Sequence, residues 1–94
     1  MKMNDGIDDL ASNGEEWLDI LRKSSKSSEE YAQALASTRN AVGKLLDLNA
    51  DSLSDDFFNA ETNAENLALI EKAATGDAEA IDALRQKAFE DIVL

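Results

Sequence analysis

The residues best equipped for chemistry in this chain are its acids. Asp47-Leu48-Asn49-Ala50-Asp51 starts like a calcium loop, with oxygen ligands at positions one, three and five and Asp55 at position nine. Position six is Ser52, where the sharp turn requires glycine, and position twelve is Phe58, where a glutamate would supply two oxygens. Without that turn and that bidentate ligand the oxygens cannot close around an ion. The same residues are expected to act as helix caps and turn formers instead. The adjacent acids Asp8-Asp9, Glu15-Glu16, Glu29-Glu30 and Asp55-Asp56 have the composition of acid/base dyads. Catalysis needs one carboxyl group held away from water or beside a specific charge. Adjacent acids on polar helix faces both reach solvent, and several fall in first helical turns, where the helix dipole favours negative charge.

Ser24-Ser25-Lys26-Ser27-Ser28 offers hydroxyls beside Lys23 and Lys26, but the chain contains no histidine to accept a proton and no cysteine. That composition removes disulfides, thiol nucleophiles and the usual zinc sites. No glycine-rich phosphate loop occurs. We therefore assign no catalytic, cofactor-binding or metal-ligating residue, expect no cofactor, and expect a non-enzymatic protein.

The formal charge of −11 is unevenly spread. Residues 1–44 carry 8 acids against 6 bases, net −2, and residues 45–94 carry 12 against 3, net −9. Seven acids and no base lie between Lys44 and Lys72. Such a surface repels nucleic-acid phosphates and anionic headgroups, so neither nucleic acid nor membrane is expected as a direct partner. A basic partner, a cation or simply a solvated surface is compatible with the charge. No apolar stretch approaches membrane-spanning length.

The elements that must carry these residues are helical. Proline is absent, aromatics make up 5%, alanine is abundant and no alternating apolar run supports strands. Ile7, Leu10, Ala11, Gly14, Trp17, Leu18 and Leu21 recur at steps of three and four, which predicts a continuous helix from about Gly6 to Lys23, weakened at Asn13-Gly14. Ser12 and Glu15 have capping-box spacing, but the apolar phase continues across them. Trp17 is expected to be the main core anchor, with an interface aromatic as the alternative.

After the serine linker, Ser27 and Glu30 make an S-x-x-E box that starts a second helix. Tyr31, Leu35, Thr38, Val42, Leu45 and Leu46 form its buried stripe, to about Asp47. Gly43 within it costs about 1 kcal/mol relative to alanine, which points to close approach of another helix. Residues 48–61 lose the helical period. Ser54-Asp55-Asp56 there looks like the capped start of one turn presenting Phe57 and Phe58, one to the core and the other partly exposed or against a neighbour. Thr62 with Glu65 is a further capping box, opening a helix with Leu67, Ile70, Ala73 and Ala74 inward. Gly76 is suited to the left-handed conformation that closes a helix, and Asp77 to capping the next. That last helix turns Ile81, Leu84, Ala88, Phe89 and Ile92 inward. Asp91-Ile92-Val93-Leu94 carries no cap, so the chain is expected to be a piece of something longer. Gly76→Val is expected to destabilise far more than Gly43→Ala, because only Gly76 needs a positive φ.

LLDLNADSLSDDFF followed by ENLALIEKAATGDAEAIDALR resembles a segment of the tail tape-measure proteins of phages and prophages. In that segment a small helical module carries a Leu-Ser-Asp-Asp-Phe turn and a Gly-Asp-x-x-Ala-Ile junction. The matching residues are Leu53, Ser54, Asp55, Asp56 and Phe57, then Gly76, Asp77, Ala80 and Ile81. The resemblance spans about residues 15–94. It implies a structural role, since tape measures span the tail tube lumen, set its length and leave during genome ejection.

The expectation is thus an all-α, compact bundle of about four helices with a short helical turn near Phe57-Phe58. Residues 1–94 form a single small helical domain, excised from a longer chain. Its function would be that of a structural and protein-interaction module of a tape-measure-like protein in a virion or bacterial cytoplasm, contacting itself or other tail components. An acidic helical adaptor, or a DNA-mimic-type decoy for a basic protein, is the alternative.

Overall fold

Gly76 has φ +85°, and the chain reverses around it. A computed structural model describes residues 5–93 of the protein, so Leu94, in the uncapped ending, lies outside the described residues. Helix α4 (Ala64–Ala73) ends just before Gly76 and helix α5 (Ala78–Val93) begins just after it. Thr75 Oγ1 donates to the Lys72 carbonyl at 2.7 Å, and the Gly76 N–H donates to Ala73 O at 2.9 Å. Asp77 Oδ1 then accepts from the backbone N–H groups of Glu79 and Ala80 at 3.0 and 3.2 Å. These bonds satisfy orphan groups at both helix ends, so so short a link forms without loss of backbone hydrogen bonding. The seam between the two helices is Leu67, Ile70 and Ala73 against Leu84 and Ala88, all fully buried.

Upstream, helix α1 (Asp5–Asp9) continues through a π-helical turn (Leu10–Gly14) into helix α2 (Glu15–Lys23). The backbone stays in the right-handed helical region at Asp9, Gly14 and Glu15, so the expected continuous helix forms and the Asn13-Gly14 weak point becomes a wider turn. A π turn accommodates an extra residue and rotates everything after it. Leu10, Gly14, Leu18 and Leu21 are consequently buried, Ala11 is exposed, and Trp17 sits half-buried on the flank. The core anchors of this rod are leucines, not the tryptophan. Ser12 and Glu15 form no cap, because no helix starts there.

Helix α3 (Glu29–Leu46) lies along this rod. Its N-cap is Ser28, whose Oγ accepts from the Tyr31 N–H at 3.1 Å. The predicted capping residue, Ser27, faces Ser25 Oγ at 2.9 Å instead, so the helix starts one residue later than the S-x-x-E spacing indicates. Tyr31, Thr38, Val42, Leu45 and Leu46 are buried as expected, joined by Ala34 and Ala41, while Leu35, expected in the same stripe, is only half-buried at its edge. The helix closes on Asp47, which takes the left-handed conformation at φ 57°, ψ 48°. Leu48 N–H donates to Gly43 O at 2.8 Å and Asp47 N–H to Lys44 O at 3.3 Å, a Schellman ending with aspartate where glycine is usual.

Gly43 is indeed a point of close approach, but the neighbour is the returning chain. A Cβ at Gly43 would lie 2.9 Å from Ala50 Cβ and 3.1 Å from Ala50 Cα. Ala50 opens a 3-10 turn (Ala50–Ser52) that folds back on the end of α3. Around Gly76, by contrast, a Cβ would meet nothing within 4 Å. The expected gap between the two glycine variants therefore narrows. Overpacking at Gly43→Ala costs about 1–3 kcal/mol, offset by about 1 kcal/mol of helix propensity. Left-handed strain at Gly76→Val costs roughly 1–2 kcal/mol, and more for a β-branched residue. Urea melts should show both variants destabilised, with Gly76→Val the worse. A Gly43→Ala protein more stable than the parent would contradict the contact with Ala50.

These elements make four rods, with no strand among the described residues. The Cα radius of gyration is 12.1 Å, close to the ~12 Å of a folded chain this long.

Candidate functional site

The connection between α3 and α4 is held by polar side chains. Ser54 is its hub. Its Oγ accepts from the Phe57 N–H at 3.2 Å, capping a 3-10 turn (Asp56–Phe58), and donates to Asp91 Oδ1 at 2.5 Å. The Ser54 N–H donates to Asp91 Oδ2 at 2.9 Å. Both oxygens of one α5 carboxylate thus clamp the turn to the last helix. The sequence could not show this partner, which lies 37 residues away.

The turn is wedged between helices, so both phenylalanines are buried rather than one. Phe57 backs onto α4 and α5 beside Asn66 and Asp91, and Phe58 faces α3, with the Arg39 guanidinium 5.8 Å from its ring centroid. The two rings meet edge to face with centroids 4.9 Å apart. Asn66, buried on α4, donates through Nδ2 to Phe57 O at 3.1 Å. Its burial had no signal in the apolar periodicity.

The residues that begin like a calcium loop have structural employment. Asp47 closes α3, Asn49 Oδ1 accepts from the Asp51 N–H at 3.0 Å, and Asp55 pairs with Arg39. Among the described residues no three His, Cys, Asp or Glu side chains cluster as metal ligands would. Asp56 accepts from Thr62 Oγ1 at 2.9 Å and its backbone carbonyl from Asn63 Nδ2 at 2.8 Å. Thr62 is thereby diverted, and the predicted Thr62–Glu65 capping box does not form; the residue before α4 is Asn63, with no side-chain cap bond. Of the remaining acid pairs, Asp9 faces Lys44 at 3.6 Å, Glu29-Glu30 are exposed in the first turn of α3, and Glu15-Glu16 are exposed within the continuous rod, where no helix starts. An exposed ion pair such as Asp9–Lys44 contributes about 0–1 kcal/mol.

The fold changes the titration of Tyr31. Burial raises its phenol above the ordinary 10.0, and the carboxylates of Asp55 and Glu61 push the same way. The folded value lies above the unfolded one, so this contribution is fully present below pH 10.0 and is lost as pH rises through the folded value. Stability measured by guanidinium melts should fall above that pH, and Tyr31→Phe should shallow the fall. An unchanged slope would show that the phenol does not ionise against the fold.

Two apolar features face solvent and bear on function. One is a shallow cleft of about 340 Å³ between the π turn and α4, floored by Leu10, Leu18 and Ile70 and rimmed by Glu15 and Glu71. The other is the end of α5, where Phe89, Ile92 and Val93 are 51%, 40% and 80% exposed. Phe89 and Ile92 were expected to face inward. The buried line instead runs through Ala80, Leu84 and Ala88, leaving Ile81 half-buried and Phe89, about 100° around the helix from the fully buried Ala88, on the outer side.

Fold and surface together define an acidic all-α domain with an uncovered apolar helix end. No family model, no curated protein and no solved structure matches the chain. Among the described residues no helix is long and apolar enough to cross a membrane.

Proposed function

We propose that the domain is a non-enzymatic module for structural packing and protein contact, of the kind found in phage tail tape-measure-like proteins. The observation that carries a contact role is the exposed group Phe89, Ile92 and Val93, three large apolar side chains within one and a half turns of a helix. The residues of the resemblance support a structural reading of the rest: Ser54 caps and clamps, Asp55 pairs with Arg39, Phe57 fills the core, and Gly76-Asp77 makes the reversal. The partner is protein, either another copy or another tail component, and the setting a virion or bacterial cytoplasm.

Co-expression with tail tube and tail completion proteins tests this. The chain should co-purify with a tail component, and a Phe89→Ser, Ile92→Ser variant should lose at least ~10-fold in affinity, as expected when apolar anchors are truncated, while keeping its helical circular dichroism. No co-purification of the parent chain would overturn the tail assignment. In the reading frame around these residues, long helical repeats would support it, and a frame confined to this domain would sink it.

A second reading, an acidic adaptor or DNA-mimic-type decoy, draws on a different observation. Asp47, Asp51, Asp55, Asp56, Glu61, Glu65 and Glu71 are all exposed. It requires salt-sensitive binding to a basic nucleic-acid-binding protein. Absence of binding at low salt would end it.

A further inference from the structure

Asn13-Gly14 is the one Asn-Gly pair in the chain; every other asparagine precedes Asp, Ala or Leu. The pair is chemically special because glycine has no side chain to shield its backbone nitrogen. When the chain around such a pair is free to turn, that nitrogen attacks the asparagine side-chain carbonyl. Here it lies inside the rod formed by α1, the π turn and α2, with the Asn13 side chain exposed to water and Gly14 buried.

We propose that Asn13 is a latent site of spontaneous deamidation, silenced by the helical backbone of the π turn and released only when this rod opens. The reaction needs water and hydroxide alone. Hydroxide removes the Gly14 N–H proton, the nitrogen bonds to Asn13 Cγ, and the Cγ–NH2 bond breaks as ammonia leaves with a proton from water. The resulting five-membered succinimide takes up water. Cleavage of the Cγ–N bond yields an aspartyl residue at position 13, and cleavage at the main-chain carbonyl yields an isoaspartyl residue. Nothing is oxidised or reduced.

Two features of the fold hold this chemistry back. Ring closure requires the chain at Asn13 to rotate out of the helical well, but the flanking residues Asp9, Gly14 and Glu15 are all helical, Gly14 at φ −59°, ψ −38°. The Gly14 N–H that must be deprotonated also belongs to a helical hydrogen-bond ladder, which opening must first break.

The product does not fit the place it leaves. An isoaspartyl link inserts a methylene into the main chain, which shifts Gly14, Leu18 and Leu21 out of phase with Leu10 on the buried face. Either product adds a negative charge to a chain already at −11. Each opening therefore carries a chance of an irreversible step, and the modified fraction records how often the rod has opened.

The test is incubation of the full chain at mildly alkaline pH in native buffer and in a series of guanidinium chloride concentrations. Peptide mass mapping, with backbone-cleaving fragmentation, separates aspartyl from isoaspartyl products. We expect conversion confined to Asn13, at least ~10-fold slower in native buffer than in denaturant, each tenfold corresponding to about 1.4 kcal/mol of opening free energy. The rate should climb with the unfolded fraction across the transition. Asn13→Gln, at an exposed position, should fold normally and abolish the product in both conditions. Equal rates in native buffer and denaturant, or faster conversion at another asparagine, would overturn the proposal.

Discussion

Phe58→Ala is expected to lower stability by about 3–5 kcal/mol, most of the margin of a domain this small. The ring is fully buried, stacks edge to face on Phe57 and lies beneath the Arg39 guanidinium. Its removal leaves a cavity in a turn already tied down on two sides, by Asp91 to Ser54 and by Asn66 to Phe57 O. Those ties limit collapse into the space, which places the cost toward the upper part of the range. Edge-to-face contact adds about 0.5–1.5 kcal/mol beyond burial, so Phe58→Leu should recover only part of the loss. Urea denaturation followed by circular dichroism reads the difference directly. A loss below about 1 kcal/mol, the scale of an ordinary substitution, would mean that the turn is not wedged between α3 and the α4–α5 pair.

Leu84→Ala carries the second large effect, about 2–5 kcal/mol, because Leu84 is fully buried in the seam with α4. Its value lies in comparison along one helix. Ile81→Ala should cost less, since Ile81 is half-buried, and Phe89→Ala should fall within about ±0.5 kcal/mol, the range of surface substitutions. The three variants sample three directions around α5 and so measure its rotation. If Phe89→Ala proved as costly as Leu84→Ala, the helix would have to face the bundle through Phe89 and Ile92, as periodicity had indicated. The proposed contact surface would then vanish with it.

That disagreement illustrates what periodicity supplies. A run at steps of three and four identifies an apolar side but not its edges, and α5 has apolar residues over more than half its circumference. Which of them is covered depends on how α5 is rotated against its neighbours: Ala88 is fully buried and Phe89, the next residue, is 51% exposed. The same limit explains Trp17. Its spacing from Leu10 and Gly14 is right for an α-helix, but the π turn shifts the phase by about one residue and hands the buried position to Leu18. Likewise Ser27 and Thr62 have capping spacing, yet each has another polar partner close by, and the helices begin after Ser28 and Asn63 instead.

The amino-acid sequence by itself determined the helical class, the positions of the four rods, the Gly76-Asp77 reversal and the capped turn at Ser54. All of these follow from interactions within a few residues: side-chain oxygens reaching nearby amides, glycine at positive φ, and apolar residues recurring once per turn. Tertiary structure alone decided that Asp91 clamps Ser54, that both phenylalanines are buried and that Phe89 and Ile92 are not. Each of those depends on which segment arrives from far along the chain and where it stops, and no local spacing encodes that distance. The acids that first suggested chemistry belong to both groups: the closing of α3 by Asp47 is local, and the pairing of Asp55 with Arg39 arises only once the connection has packed back on α3.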